Sequence, residues 1–327
     1  MTTSREIARG NIEHSQPERI GLNFNRGRRN DLVECGLGPS ATFEQRRWVE
    51  GNVEYYDDEW GNIWHRLTGG RSGAEIYEPA IRDWSQLGTL RKPDYDNPAR
   101  YTKARNAFAA APDRFRVAHM PGWVFATSRY LRKMEIYFAD LIEYRKEIEQ
   151  LHALVTDQLV QMIRMYAAVG ADAVFYCEDL GTQDRVLIGP PMWRDVFAKH
   201  YRRLTSTAHD LGLKVIMHSC GYNWALLEDL AESGIDCFQF DQPAVYDLQA
   251  LAALLKRRRV GLLSTLDIQR VLPTGDRALI EAHAQEMVDT FRGGLIMRTY
   301  PSLQDIGVEE EWDQWGYEAV LQAAGIA

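Results

Sequence analysis

From about residue 173 onward the chain repeats one pattern: a short, almost wholly apolar run that ends in polar residues, then a longer amphipathic stretch. The runs cover 173–176, 214–217, 237–240, 260–266 and 294–297. Between them lie helical patterns at 224–232, 248–256, 277–291 and 309–324. Another opens at Pro190-Pro191, carries Trp193, Phe197, Tyr201, Leu204, Ala208 and Leu211, and closes at Gly212. Upstream, about 135–168 places Leu141, Tyr144, Ile148, Leu151, Val155, Leu159, Met162 and Tyr166 at three- and four-residue steps. That spacing predicts one long helix with a single buried stripe, stopped at Gly170. Strands that are apolar on both faces and alternate strictly with helices belong to a parallel sheet covered on both sides.

An open doubly wound sheet and a closed barrel both satisfy this pattern. No glycine-rich phosphate fingerprint follows any strand, and Arg292-Gly293-Gly294 precedes one instead, which weakens the dinucleotide-binding open sheet. Polar groups end five successive strands: Glu178/Asp179, His218/Cys220, Asp241/Gln242, Asp267/Gln269 and Arg298/Tyr300. A barrel gathers all such ends around one mouth. The expectation is therefore an α/β fold, a (β/α)8 TIM barrel in which residues 1–327 form one domain, with an N-terminal extension and short strands over one end. In the first half, 19–24 reads as a first strand followed by the basic loop Asn25-Arg26-Gly27-Arg28-Arg29. The stretch 43–67, with Asp57-Asp58-Glu59-Trp60-Gly61 inside it, reads as short strands or a hairpin over one end. Residues 115–119 read as another barrel strand, turned by Pro121-Gly122.

Charge and cysteine content narrow the partners. Lys plus Arg number 38 against 46 Asp plus Glu, and this acidic balance without a basic run excludes a general nucleic-acid binder. Mean hydropathy is −0.37, and no apolar stretch approaches the ~18 residues of a spanning helix. The polar start, MTTSREIARGN, does not read as a secretory signal. Four cysteines are too few for a disulfide scaffold, so a cytoplasmic chain with reduced thiols is expected.

His218-Ser219-Cys220 is the sharpest local feature. Residues two apart on a strand point to the same side, so imidazole and thiolate can meet at one point. A catalytic zinc takes three such ligands and keeps one position open. An isolated His-x-Cys also suits a packed histidine and an inert buried cysteine; the strand end and the following Gly221 favour ligation. Cys237 is expected near the start of its strand, at the far end of the barrel. Cys177 is adjacent to the mouth, but Glu178 and Asp179 come closer, and a carboxylate from that pair or Asp241 can complete the set. The metal ligands assigned from sequence are His218, Cys220 and Glu178. Glu178, Asp179, Asp267 and Tyr300 are assigned to chemistry, and Asn23, Arg26, His119, Asp241 and Gln242 to substrate contact. Arg26, Arg28 and Arg29 are suited to clamping a carboxylate or phosphate. Trp60, Trp64 and Trp123 read as core or lid residues, and His200 and His209 as surface residues.

Five segments together carry a resemblance: Glu178-Asp-Leu-Gly-Thr-Gln183, Pro190-Pro-Met-Trp193, Met217-His-Ser-Cys-Gly221, Gly234-Ile-Asp236 with Gln242-Pro243, and Asp267-Ile-Gln-Arg-Val-Leu-Pro273. With Asp58-Glu-Trp-Gly61, their order and spacing resemble the uroporphyrinogen decarboxylase superfamily, and within it the cobalamin-dependent methyltransferase branch. The resemblance implies a (β/α)8 barrel, zinc on His218 and Cys220, and a corrinoid (cobalamin) supplied by a separate corrinoid protein. That branch adds a cysteine after the last strand, where this chain reads Arg298-Thr-Tyr-Pro-Ser302. The decarboxylases hold substrate carboxylates with an arginine-rich loop after the first strand, and lack the His-x-Cys. Arg26, Arg28 and Arg29 lie in that region without reproducing its spacing. The leading expectation is a zinc-dependent methyltransferase or O-demethylase that moves a methyl group between a small molecule and a corrinoid on a partner protein. Its alternatives are a metal-free decarboxylase of a polycarboxylate and a catalytically idle ligand-binding barrel. No nucleic acid or membrane partner is expected.

Overall fold

The apolar runs become barrel strands, and their two-residue alternation decides which side chains reach the mouth. The computed structural model describes residues 2–69 and 73–326. Helix α1 (Ser4–Ile12) precedes β1 (Gly21–Asn23) and β2 (Leu32–Cys35). An antiparallel sheet follows, formed by β3 (Arg47–Glu50), β4 (Val53–Asp57), β5 (Ile63–Leu67) and β6 (Glu75–Glu78) in that order. Helix α2 (Thr102–Ala110) leads into β7 (Phe115–His119), then α3 (Val124–Arg132), α4 (Met134–Glu143) and α5 (Arg145–Ala168). The alternation continues with β8 (Ala173–Cys177), α6 (Pro190–Val196), α7 (Ala198–Asp210), β9 (Lys214–His218) and α8 (Trp224–Glu232). It ends with β10 (Cys237–Phe240), α9 (Leu248–Arg258), β11 (Gly261–Ser264), α10 (Arg277–Phe291), β12 (Leu295–Arg298) and α11 (Glu310–Ala324).

Eight parallel strands run in the order β1-β12-β11-β10-β9-β8-β7-β2, which is the expected (β/α)8 barrel. Its seam differs from the other connections. No helix joins β1 to β2; the loop between them folds back, so that the Asp31 amide donates to Leu22 O at 2.7 Å. The Asp31 carboxylate accepts the Leu22 amide at 2.8 Å, which closes the seam through a side chain.

Inside the ring, Leu32, Val117, Phe175, Ile216, Leu263 and Ile296 pack against Ala8 and Ile12 of α1. The polar N-terminal segment is thus an amphipathic plug under the barrel, started by a capping box between Thr3 and Glu6. Gly261 permits this close approach, because a Cβ there would stand 2.8 Å from Ile12 Cα. At the same end Asp172 accepts hydrogen bonds from Arg5, Arg9 and Arg116. The larger apolar cluster fills the layer between strands and helices. Among the described residues no helix is long and apolar enough to cross a membrane.

The stretch 43–67 does form strands, and they lie over the mouth end. Trp64 of β5 meets Tyr130 of α3 edge to face, with ring centroids 4.8 Å apart. The Asp58 carboxylate fixes the turn before β5 by accepting the amides of Trp60, Gly61 and Asn62 and the Trp64 indole N–H.

Three expectations need correction. The long helix breaks at Tyr144, whose ψ of 49° leaves the helical region, and Tyr144 is 45% exposed rather than in the stripe. Helical spacing survives a one-residue break because α4 and α5 bury similar faces. The pattern opened at Pro190 likewise splits at Phe197 into α6 and α7. His200 is buried on α7, with Nδ1 3.0 Å from Thr156 Oγ1, whereas His209 lies nearer solvent beside Asp236.

Candidate metal centre and barrel mouth

Every second residue of a strand faces the barrel interior, and the chain leaves each strand on that same parity. Phe175 and Ile216 are interior, so Cys177 and Asp179 follow inward from β8, and His218 and Cys220 from β9. Cys237 leads to Gln239 and Asp241, Ile296 to Arg298 and Tyr300, Val117 to His119, and Leu32 to Glu34. Glu178 falls on the opposite parity.

Asp179, His218 and Cys220 converge, their ligand atoms all within 4.8 Å of one another. His218 Nε2 lies 3.2 Å from Cys220 Sγ and 3.3 Å from Asp179 Oδ1. The same Asp179 oxygen accepts the Cys220 amide at 3.0 Å. Asp179 reaches this position with a φ of 52°, a left-handed conformation that aspartate tolerates better than most residues. The β8 and β9 loops touch backbone to backbone here. A Cβ on Gly221 would stand 2.3 Å from Thr182 O, and Gly221 itself has a φ of +76°.

On its other side the His218 ring meets Gln239, with Nδ1 2.5 Å from Oε1. Gln239 Nε2 donates to Asp241 at 2.7 Å, which orients the amide so that its oxygen faces the imidazole. His218 Nδ1 therefore carries a hydrogen, and Nε2 is the nitrogen offered to Cys220 and Asp179. Burial works against charging this ring, but Asp179, Cys220 and Asp241 outweigh it and raise its pKa well above the ordinary value. Burial also works against ionising Asp179, yet the His218 contact, the Cys220 amide and Arg129 bring it down to about 2. The donor set is one nitrogen, one sulfur and one carboxylate oxygen, already gathered and held from behind, and it suits a zinc-sized divalent ion.

The sequence reading makes Glu178 the third ligand, whereas the carboxylate that stands with His218 and Cys220 is that of Asp179. The Glu178 side chain points outward, is fully buried, and accepts the Ala126 amide in the first turn of α3 at 2.9 Å. Burial pushes its carboxyl up to about 8, against the opposing charge of Arg129 and the amides of α3. Arg129, on α3, also lies 3.9 Å from Asp179. Glu178 thus anchors the helix that carries a cation to the Asp179 carboxylate.

The remaining assigned residues divide between the mouth and its supports. Asn23 donates to Glu34 at 2.9 Å, and His119 Nε2 lies 3.5 Å from the other Glu34 oxygen. Burial opposes ionisation of Glu34, but His119, Arg298 and Asn23 bring it down to about 2. Tyr300 is half-buried, its hydroxyl pKa raised by burial and then by the negative charge of Asp241 and Cys220. Gln242 does not face the mouth; it accepts the Gly221 amide at 2.9 Å and braces the loop. Asp267 is fully buried and takes the amides of Ala244, Gln269 and Arg270, so it is a loop brace rather than a mouth residue. Arg26 is engaged by Glu310 at 2.9 Å, and Arg28 by Asp313 at 2.5 Å, both on α11. Cys237 opens β10 and is fully buried. Glu34, Arg129 and Gln239 were not singled out from sequence. Gln239 had a signal, as the polar residue within an apolar strand.

Beside His119 a cleft of about 660 Å³ opens between the mouth and the antiparallel sheet. Trp60, Trp64, Tyr95, Met120 and Tyr130 line it.

A Methylated-thiol--coenzyme M methyltransferase of Methanosarcina mazei is 28% identical over 144 residues, which is 43% of this chain and 36% of that protein. The match therefore spans about a third of that relative's length. A solved methyltransferase from Methanosarcina mazei superposes with a TM-score of 0.57 at 15% identity, covering 78% of this chain and 72% of the other, and shares the fold. Residues 71–299 match the family Uroporphyrinogen decarboxylase (URO-D), and the chain belongs to that family.

Proposed function

We propose that this chain is a zinc-dependent methyltransferase that moves a methyl group between a small molecule and a corrinoid carried by a partner protein. The observation that carries the reading is the convergence of Asp179, His218 and Cys220 at the mouth, in a family whose matched curated relative is a methyltransferase. Zinc held there would act as a Lewis acid toward the oxygen or sulfur atom that carries the methyl group. His218 presents Nε2 because Gln239 holds Nδ1. Asp179 stays ionised with Arg129 behind it. A carboxylate in place of a second thiolate binds zinc less tightly and donates less charge to it. Tyr300 follows β12 and His119 ends β7, both on the inward parity of their strands, and each would be able to hold a substrate group by hydrogen bonding.

Elemental analysis of protein prepared with added zinc tests the metal, with about one zinc per chain expected. Methyl transfer is read from the conversion of cob(I)alamin to methylcobalamin with methoxylated or methylthio donors. A chain that retains no zinc and methylates no cobalamin overturns the reading. The metal-free decarboxylase draws no support from the basic loop, since Arg26 and Arg28 are engaged by Glu310 and Asp313.

A further inference from the structure

Arg298 is a buried cation that makes no direct ion pair among the described residues. It ends β12, is 9% exposed, and points inward on the parity of Ile296. Among the described residues no carboxylate comes within ion-pairing distance of it, and its one hydrogen bond runs from Nε to Thr299 O at 3.4 Å. Glu34 feels its charge, but the Glu34 oxygens are occupied by Asn23 and His119. In the ring of eight strands β12 stands four strands from β8, so Arg298 faces the Asp179 side from the opposite wall. A guanidinium taken out of water is stable only when something anionic meets it. Among the described residues neither terminal nitrogen of its fork makes a hydrogen bond.

The neighbouring cleft adds the second half of the recognition. Its walls carry two aromatic pairs, Trp60 with Tyr95 and Trp64 with Tyr130, both edge to face. Its charged residues are already satisfied. Asp58 is filled by backbone amides and the Trp64 indole, and Glu59 is paired with the buried Arg100. Glu59 is neutralised by Arg100, whereas Asp58 keeps its charge and turns it toward those amide and indole donors; the ring surfaces suit a flat apolar group. His119 joins the two regions, lining the cleft and standing 3.5 Å from Glu34.

We propose that Arg298 anchors the anionic group of the substrate, and that the substrate is a small aromatic oxyanion, a carboxylate or a sulfonate, whose ring lies in this cleft. This rests on the methyltransferase reading for what happens to the bound molecule, but not for the binding itself. A planar fork of donors favours two-oxygen acceptors of this kind.

Calorimetric titration of the full chain with benzoate, benzenesulfonate and neutral benzamide tests it, with zinc loaded and with zinc removed. Benzoate or benzenesulfonate should bind at least about tenfold more tightly than benzamide, with zinc or without. The tighter of the two identifies the oxyanion. Arg298→Met should weaken anion binding about tenfold or more, and Arg298→Lys by less, both with unchanged zinc content. Glu34→Gln removes a competing negative charge and should tighten the anion. Equal affinity for benzoate and benzamide, or anion binding unchanged in both Arg298 variants, overturns the proposal. So does binding that disappears with zinc, which assigns the anion to the metal. Should Arg298→Met fail to fold, Arg298→Lys and Glu34→Gln still decide, because a merely structural partner of Glu34 would leave anion affinity unmoved in both. Loss of zinc binding in the wild type would sink the metal reading while leaving these titrations interpretable.

Discussion

Gln239 holds His218 by its far nitrogen: the amide oxygen lies 2.5 Å from Nδ1, so Nε2 is left facing Cys220 and Asp179. Hydrogen bonds of this kind fix the tautomer and the ring angle of a metal-binding histidine. Gln239→Leu keeps all three ligands and removes only this constraint. Zinc affinity should fall about 10- to 100-fold, measured by competition with a chromogenic chelator. Unchanged affinity would mean that the strand alone sets the ring.

The ligand set makes a sharper claim, because two adjacent carboxylates are given different work. Asp179→Asn and Cys220→Ala should lose most of their zinc. Glu178→Gln should retain it, since an amide still accepts from the Ala126 N–H. Cys237→Ala should also retain it, as that thiol is buried at the start of its strand. Elemental analysis of the four purified variants reads this directly; zinc lost from Glu178→Gln and kept in Asp179→Asn would reverse the assignment.

Much of this arrangement was legible in the chain, and the misses have physical causes. Strand ends were readable because buried parallel strands are continuous apolar runs that stop at polar residues. The choice between Glu178 and Asp179 was also readable in principle: counting by two from Phe175 reaches Asp179. His200 repeats with Leu204 and Ala208 at four-residue steps, the mark of a buried face. By contrast, β2 gave no such signal. It follows β1 after a loop without a helix, so Glu34 sits in a four-residue strand that no amphipathic stretch announces. The helix break at Tyr144 is a change of one residue's backbone angles, which periodicity does not register.

Contact between the β8 and β9 loops should tune the metal without supplying a ligand. A methyl group on Gly221 would overlap Thr182 O and Gly181 O, at 2.3 and 2.7 Å, and backbone cannot swing aside as a side chain can. The left-handed φ adds about 1 kcal/mol of strain. Gly221→Ala should therefore push Cys220 from Asp179, weakening zinc at least tenfold while circular dichroism stays native. Wild-type zinc affinity in Gly221→Ala would show that the loops part without cost to the site.

At the opposite end, stability should depend on Asp172 and on pH. Burial alone would raise its pKa, but hydrogen bonds from Arg5 and Arg116, including the Arg116 amide, hold it below the ordinary value. A depressed carboxylate stabilises the fold fully above its unfolded value of about 3.9, and that contribution is lost as pH falls through the lower folded value. Asp172→Asn leaves Arg5, Arg9 and Arg116 without their shared anion. Since these arginines are partly exposed, the cost at pH 7 should be about 2–3 kcal/mol rather than the larger value of a fully buried pair. Urea unfolding of wild type and variant should show that gap at pH 7 and a narrower one near pH 3. The loss should appear first as faster amide exchange in α1, because Arg5 and Arg9 tie that helix to the barrel floor. An equal gap at both pH values would mean that the Asp172 contribution is packing and not charge.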